Sequence, residues 1–250
     1  MAATDHVCRG ASQARRRARD RPGRDELAER FGEFRTAYMR ASAFHHRRVA
    51  RPGTARLLPL ILLAACTTLA PRGEPEPAPV AETWRVVSYN IRHGAGMDDR
   101  VDLERIARVL GPLDADVIAL QEVDSVVRRS GGEDQAKRLG ELLGMNHAFG
   151  AFMDYQGGRY GMAILTRCAI RRVNPVRLPD GNEPRIALAV ELAASGGPMT
   201  VVNVHFDWVD NDGYRFAQAQ RVARFLDSLS TPYILAGDFN DRPHTRTLSL

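Results

Sequence analysis

Residues 116–124 read DVIALQEVD. An unbroken apolar run, Val117 to Leu120, gives way abruptly to Gln121 and Glu122. Short apolar runs bounded by polar residues form strands covered on both faces, and such strands need a layer of structure on either side. Working outward, residues 84–89 (WRVVSY) form a second β-rich run that ends at Asn90. Between the two runs, Leu103, Ile106, Ala107 and Leu110 recur at helical spacing behind Asp102, a suitable N-cap. A second helix fits residues 134–143, with Leu139, Leu142 and Leu143 on one face. Residues 160–166 (YGMAILT), 185–192 (RIALAVEL) and 199–205 (MTVVNVH) read as strands, the last two joined by a turn at Gly196-Gly197. Residues 214–228 return to helical spacing, and residues 233–236 (YILA) form a last strand running into Gly237-Asp238-Phe239-Asn240. The alternation predicts a layered α/β fold over residues 84–250, long enough for one sizeable core.

Polar residues fall at telling places in this pattern. Asn90, Glu122, His205 and the pair Asp238/Asn240 each follow directly on an apolar strand. Strand ends in layered α/β folds converge on one rim, where ligands bind. Singly, each has a plain reading as a turn former or structural hydrogen-bonder. Together they carry complementary chemistry. Glu122 and the side-chain carbonyl of Asn90 could hold a hard divalent cation, with water and a substrate phosphate completing its shell. Asp238 could accept the proton of an attacking water, Asn240 could orient that water or the carboxylate, and His205 could donate to a phosphate oxygen. The set asks for a phosphate ester.

The segments VVSYNIRHG (87–94), DVIALQEVD (116–124), YGMAILTR (160–167), VVNVHFD (201–207) and ILAGDFND (234–241) resemble, in order, the endonuclease/exonuclease/phosphatase superfamily, the deoxyribonuclease I-like fold. The resemblance implies a four-layer sandwich of two mixed β-sheets flanked by helices and catalysis that depends on Mg²⁺, or on Mn²⁺ or Ca²⁺ in its place. Matched residue by residue, Asn90 and Glu122 fall on metal-site positions, Asp238 and Asn240 on the catalytic Asp-x-Asn, and His205 on the first of two active-site histidines. The family pattern closes with a further metal-site or catalytic Asp on a late strand and a terminal Ser-Asp-His, and residues 241–250 hold neither that strand nor the Ser-Asp-His. His244 is too close to Asp238 to stand in for the second histidine. The expectation is therefore a domain whose second half is incomplete, lacking its C-terminal strands. The alternative to a metal-dependent phosphodiesterase or phosphatase, nuclease-like or sphingomyelinase-like, is a catalytically inactive truncated domain with at most a binding role.

Two further residues sit where a substrate could reach them. Arg185, at the start of its strand, either holds a substrate phosphate or is a surface arginine. Tyr160, beside Gly157-Gly158, either faces the rim or packs. Asp207, Asp210 and Asp212 around Trp208 make an acidic loop whose spacing fits no calcium motif.

Charge separates the N-terminal third from the rest. Residues 1–83 hold 15 basic and 9 acidic side chains, whereas residues 84–250 hold 20 and 21. The folding portion is thus near neutral, which argues against a protein that wraps nucleic acid electrostatically. Residues 57–65 (LLPLILLAA) are about half the length of the roughly 20-residue membrane span and follow Arg40, Arg47, Arg48, Arg51 and Arg56. This is the layout of a secretory signal, and Leu63-Ala64-Ala65-Cys66 resembles a bacterial lipobox. The expected organisation is a spurious upstream extension (1–38), a signal peptide (39–65), lipidation at Cys66, a Pro/Ala-rich tether (66–83) and the domain (84–250). Cys66 as a packing residue of a short buried helix is the alternative. The expected setting is a secreted protein, lipid-anchored to the cell envelope, whose phosphate ester is a lipid headgroup, a nucleic acid or a small molecule; no protein partner is expected.

Overall fold

The computed structural model describes residues 83–250. The signal, lipobox and tether, with Cys66, lie outside those residues, and no helix within them is long and apolar enough to cross a membrane.

The run that opened the sequence reading becomes β2 (Val117–Ser125), and Val117 through Leu120 are completely buried. β1 (Val86–Asn90) lies parallel to it, and β4 (Gly158–Thr166) runs antiparallel on its other side, followed by β3 (Asn146–Tyr155). The first sheet therefore has the order β1-β2-β4-β3. The second is built alike from β5 (Ile170–Arg177), β6 (Ile186–Ala194), β7 (Gly197–His205) and β8 (Tyr233–Asp238), in that order, with β7 and β8 parallel. Both sheets are mixed.

Three apolar layers hold the elements together. Val117, Met162, Ile164, Leu188, Val190 and Val201 fill the space between the sheets. On the outer face of the first sheet, Ile118, Leu120 and Leu165 pack on Leu103, Ile106 and Leu110 of α1 (Leu103–Leu110) and on Ala136 and Leu139 of α2 (Gln135–Leu143). On the outer face of the second, Val202 and Val204 pack on Ala219, Val222 and Leu226 of α3 (Asp212–Asp227). Helix, sheet, sheet, helix: this is the four-layer α/β sandwich expected. The predicted Asp102 cap forms, accepting from Arg105 N (2.7 Å), and Asp134, expected inside its helix, instead caps it by accepting from Lys137 N (3.1 Å).

Two strands carry little signal in the sequence. β3 alternates small residues with Phe, and Gly150 sits at its centre because a side chain there would meet Ile186 and Leu188 of the facing sheet within 3 Å. β5 is an edge strand bearing Arg171, Arg172, Pro175 and Arg177, residues that blunt an edge against further pairing. The β6–β7 turn is Ser195-Gly196, one residue earlier than predicted, and Gly197 pairs with Ala194.

Candidate active site

β1, β2, β7 and β8 run so that the ends of β1 and β8 and the late part of β2 and β7 meet on one rim. Asn90 is the last residue of β1, His205 of β7 and Asp238 of β8. Glu122 lies inside β2 rather than at its end. It takes a left-handed φ of +58°, and the pairing with β4 slips by one residue between Gln121 and Val123. A bulge of this kind re-aims one side chain while the strand continues. Gln121 and Val123 stay buried and Glu122 turns partly outward.

The side chains from the two sheets are in contact. Asn90 Nδ2 donates to Glu122 Oε1 at 2.8 Å and to Asp238 Oδ2 at 3.3 Å. Asn90 Oδ1 accepts from the backbone N–H of Arg92 (3.0 Å), so the carbonyl expected to face a cation faces that amide, and the NH₂ group braces two carboxylates. Asp238 Oδ1 accepts from Asn240 N (3.0 Å), whose own φ is +48°, and Asn240 Nδ2 donates to Phe206 O (2.9 Å). Asn240 therefore orients the Asp238 carboxylate and ties the loop after β8 to the end of β7. Gly237 makes this possible: its φ is +148°, and a Cβ there would lie 2.1 Å from Val204 O.

His205 is buried, with Nε2 3.8 Å from Asp238 Oδ2 and Nδ1 3.3 Å from Arg185 Nη1. Burial and then the Arg185 charge lower its pKa to about 4, against the opposing pull of Asp238 and Glu122. Arg185 itself is 2% exposed, bonded to Glu183 Oε2 (3.0 Å) and lying over the Phe152 ring at 5.1 Å. The expected surface or phosphate-holding arginine is thus a buried cation behind His205. Tyr160 packs edge-on against Phe152 (4.9 Å), and burial, then the Glu122 charge, push its hydroxyl well above the ordinary range.

Asn90, Asp238 and Asn240 line one end of a cleft of about 1030 Å³ that continues over Trp84, Leu226 and Ile234. The donor set is oxygen-rich and sparse. Among the described residues no group of three or more His, Cys, Asp and Glu is arranged as a metal cage. Glu122, partly exposed with Asn90 beside it, nonetheless offers a carboxylate of the kind that holds a hard divalent ion while the ion keeps several waters.

Some supporting residues were not anticipated. Gln121 Nε2 donates to Asn203 Oδ1 (2.7 Å), and Asn203 Nδ2 donates to Leu120 O and Ala163 O. Their signal was a polar letter inside an apolar strand, in DVIALQ and VVNVH. Arg129 makes a two-pronged bond to the buried Asp124 (2.9 Å each) and lies over Tyr155 and Tyr160. Gln135 spans from Asp124 N to His93 O. The acidic loop is no ion site: Asp207 is buried and bonded to the backbone of Asn182 and Val209, and Asp212 pairs with Arg246.

Carboxylate, amide and imidazole groups thus gather on one rim of a four-layer sandwich. The model of the Endonuclease/Exonuclease/phosphatase family matches residues 87–250, and the chain belongs to that family. Among solved structures, an endonuclease/exonuclease/phosphatase from Beutenbergia cavernae is 25% identical (TM-score 0.53), the match covering 66% of this chain and 50% of that one. A mannosyl-6-phosphatase from Bacteroides thetaiotaomicron is 24% identical (TM-score 0.53), with 65% and 67% covered. The human Nocturnin catalytic domain is 22% identical (TM-score 0.53), with 66% of each covered. The chain thus spans half the length of the first and about two thirds of the others.

Proposed function

We propose that this chain hydrolyses phosphate esters with a divalent cation, Mg²⁺ first and Mn²⁺ or Ca²⁺ as substitutes, held through Glu122 with Asn90 beside it. The observation that carries the reading is the convergence of Asn90, Glu122, His205 and Asp238, from four strands of two sheets, into a chain of contacts of 2.8 to 3.8 Å. The cation would polarise a phosphoryl oxygen and offset developing charge. Asp238, its Oδ1 held by Asn240 N and its Oδ2 turned to the site, takes the proton of the attacking water. His205 donates a hydrogen bond to a non-bridging oxygen of the phosphoryl group. Tyr160, protonated at any physiological pH, offers a hydroxyl from the rim.

The lipobox-like segment supports a protein anchored to the cell envelope through Cys66, and the near-neutral charge of residues 84–250 favours a compact or lipidic phosphate ester over a long polyanion. The test is turnover by the full chain of three substrate classes with Mg²⁺: a phospholipid headgroup ester, a phosphorylated small molecule and DNA. Turnover of one of the first two is expected, and Asp238→Asn should lower kcat by about 10²- to 10⁴-fold. Absence of turnover on all three classes contradicts the reading.

A further inference from the structure

We propose that Arg185 is a positioning residue that holds His205 as the Nε2–H tautomer, so that the ring faces Asp238 and the substrate as a hydrogen-bond donor. The inference rests on the role given above to His205, and it assigns a device that makes that role possible.

Arginine carries five N–H donors and no acceptor. Its Nη1 lies 3.3 Å from His205 Nδ1, so the bond exists only if Nδ1 presents a lone pair. The one remaining ring proton of a neutral imidazole then sits on Nε2, the nitrogen turned toward Asp238 Oδ2.

Arg185 is built into this position. Glu183 Oε2 holds its Nη2 at 3.0 Å, the Phe152 ring lies 5.1 Å from its Cζ, and almost none of the side chain reaches solvent. The backbone that delivers it is pinned to the same part of β7: Asp207, two residues after His205, accepts from Asn182 N at 2.6 Å and Glu183 N at 3.5 Å. Gly181 leaves room for that carboxylate, since a Cβ there would lie 2.3 Å from Asp207 Oδ2. The charged groups around the imidazole are Arg185 on one side and Asp238, Glu122 and Asp207 on the others. The three carboxylates favour an imidazolium; burial and Arg185 oppose it and prevail. A general base at His205 Nδ1 is excluded by the same bond, because that lone pair is already engaged.

The test reads the tautomer directly, on the full chain labelled with ¹⁵N-histidine and without substrate, with the His205 signals assigned by their loss in His205→Gln. The wild type is expected to show a neutral Nε2–H ring across roughly pH 5 to 8. Arg185→Met should give a mixture of the Nδ1–H and Nε2–H tautomers, since nothing then claims the Nδ1 lone pair. Arg185→Lys, also an obligate donor, should restore the Nε2–H pattern. In turnover, Arg185→Met should lower kcat by about 10²-fold with KM little changed. An Nδ1–H ring in the wild type, or an Arg185→Met protein with the wild-type tautomer, overturns the proposal. If Arg185→Met does not fold, the wild-type and Arg185→Lys spectra decide it. Because the spectra need no turnover, an inactive protein with the Nε2–H ring would refute the hydrolase reading alone, and an active one with the Nδ1–H ring would refute the role of Arg185 alone.

Discussion

Gln121 and Asn203, both buried, are hydrogen-bonded to one another across the two sheets, Nε2 to Oδ1 at 2.7 Å. Each stands next to a residue of the candidate site: Gln121 precedes Glu122, and Asn203 lies two residues before His205. Asn203 also donates to Leu120 O and Ala163 O, so this one amide fixes β7 against β2 and β4. Replacing it with Leu takes away the shortest of the Gln121 amide's contacts, leaving Ser88 Oγ and Ala119 O at 3.2 Å, and removes the side-chain donor to two buried carbonyls. The expected cost is about 2–4 kcal/mol of unfolding free energy. Urea denaturation of Asn203→Leu measures it, and a midpoint equal to the wild type would show that the bond is not what registers the sheets.

Arg129 presents a second buried charge balance. Its partner Asp124 is wholly inaccessible, while the Arg129 side chain is 25% exposed. Arg129→Met strands a carboxylate beneath Tyr155 and Tyr160, at an expected cost of about 2–4 kcal/mol after allowance for solvent reaching the arginine. The double variant Arg129→Met/Asp124→Asn should recover part of that loss in the same denaturation experiment. A double variant no more stable than Arg129→Met alone would refute the pairing as the cause.

The depressed His205 pKa has a consequence for stability. The unfolded chain binds this proton near pH 6.5 and the folded chain near about 4, so between those values the unfolded state carries more protons. Folding stability therefore rises with pH across the window, and this contribution is lost as pH falls from 6.5 toward 4. His205→Gln should show a shallower rise over the same range. Parallel stability curves for the two proteins would mean that His205 titrates normally in the folded state.

The layers, and the convergence of the candidate-site residues, were readable in the sequence because each rests on a local pattern. The apolar run of β2 marks a strand covered on both sides, Asp102 announces its helix, and the polar letters at strand ends mark the rim. What could not be read depends on contacts across the chain. Nothing in QEV reveals that Glu122 adopts a left-handed backbone inside a continuing strand. β3 hides because two of its inward positions, Ala148 and Gly150, are small, the space at Gly150 being taken by Ile186 and Leu188 from the other sheet. Arg185 opens its strand like a surface residue; it is buried because Glu183, His205 and Phe152 close around it. The Asn90 amide points opposite to the sequence expectation because the backbone of Arg92 claims its oxygen.

Turnover of a phosphate ester before and after chelation is the most direct check on the account as a whole. With the full chain and its preferred substrate, an excess of chelator should abolish hydrolysis, and added Mg²⁺ should restore it in the wild type but not in Glu122→Gln. Hydrolysis that continues unchanged in chelator, or a Glu122→Gln protein that recovers fully with Mg²⁺, would contradict it.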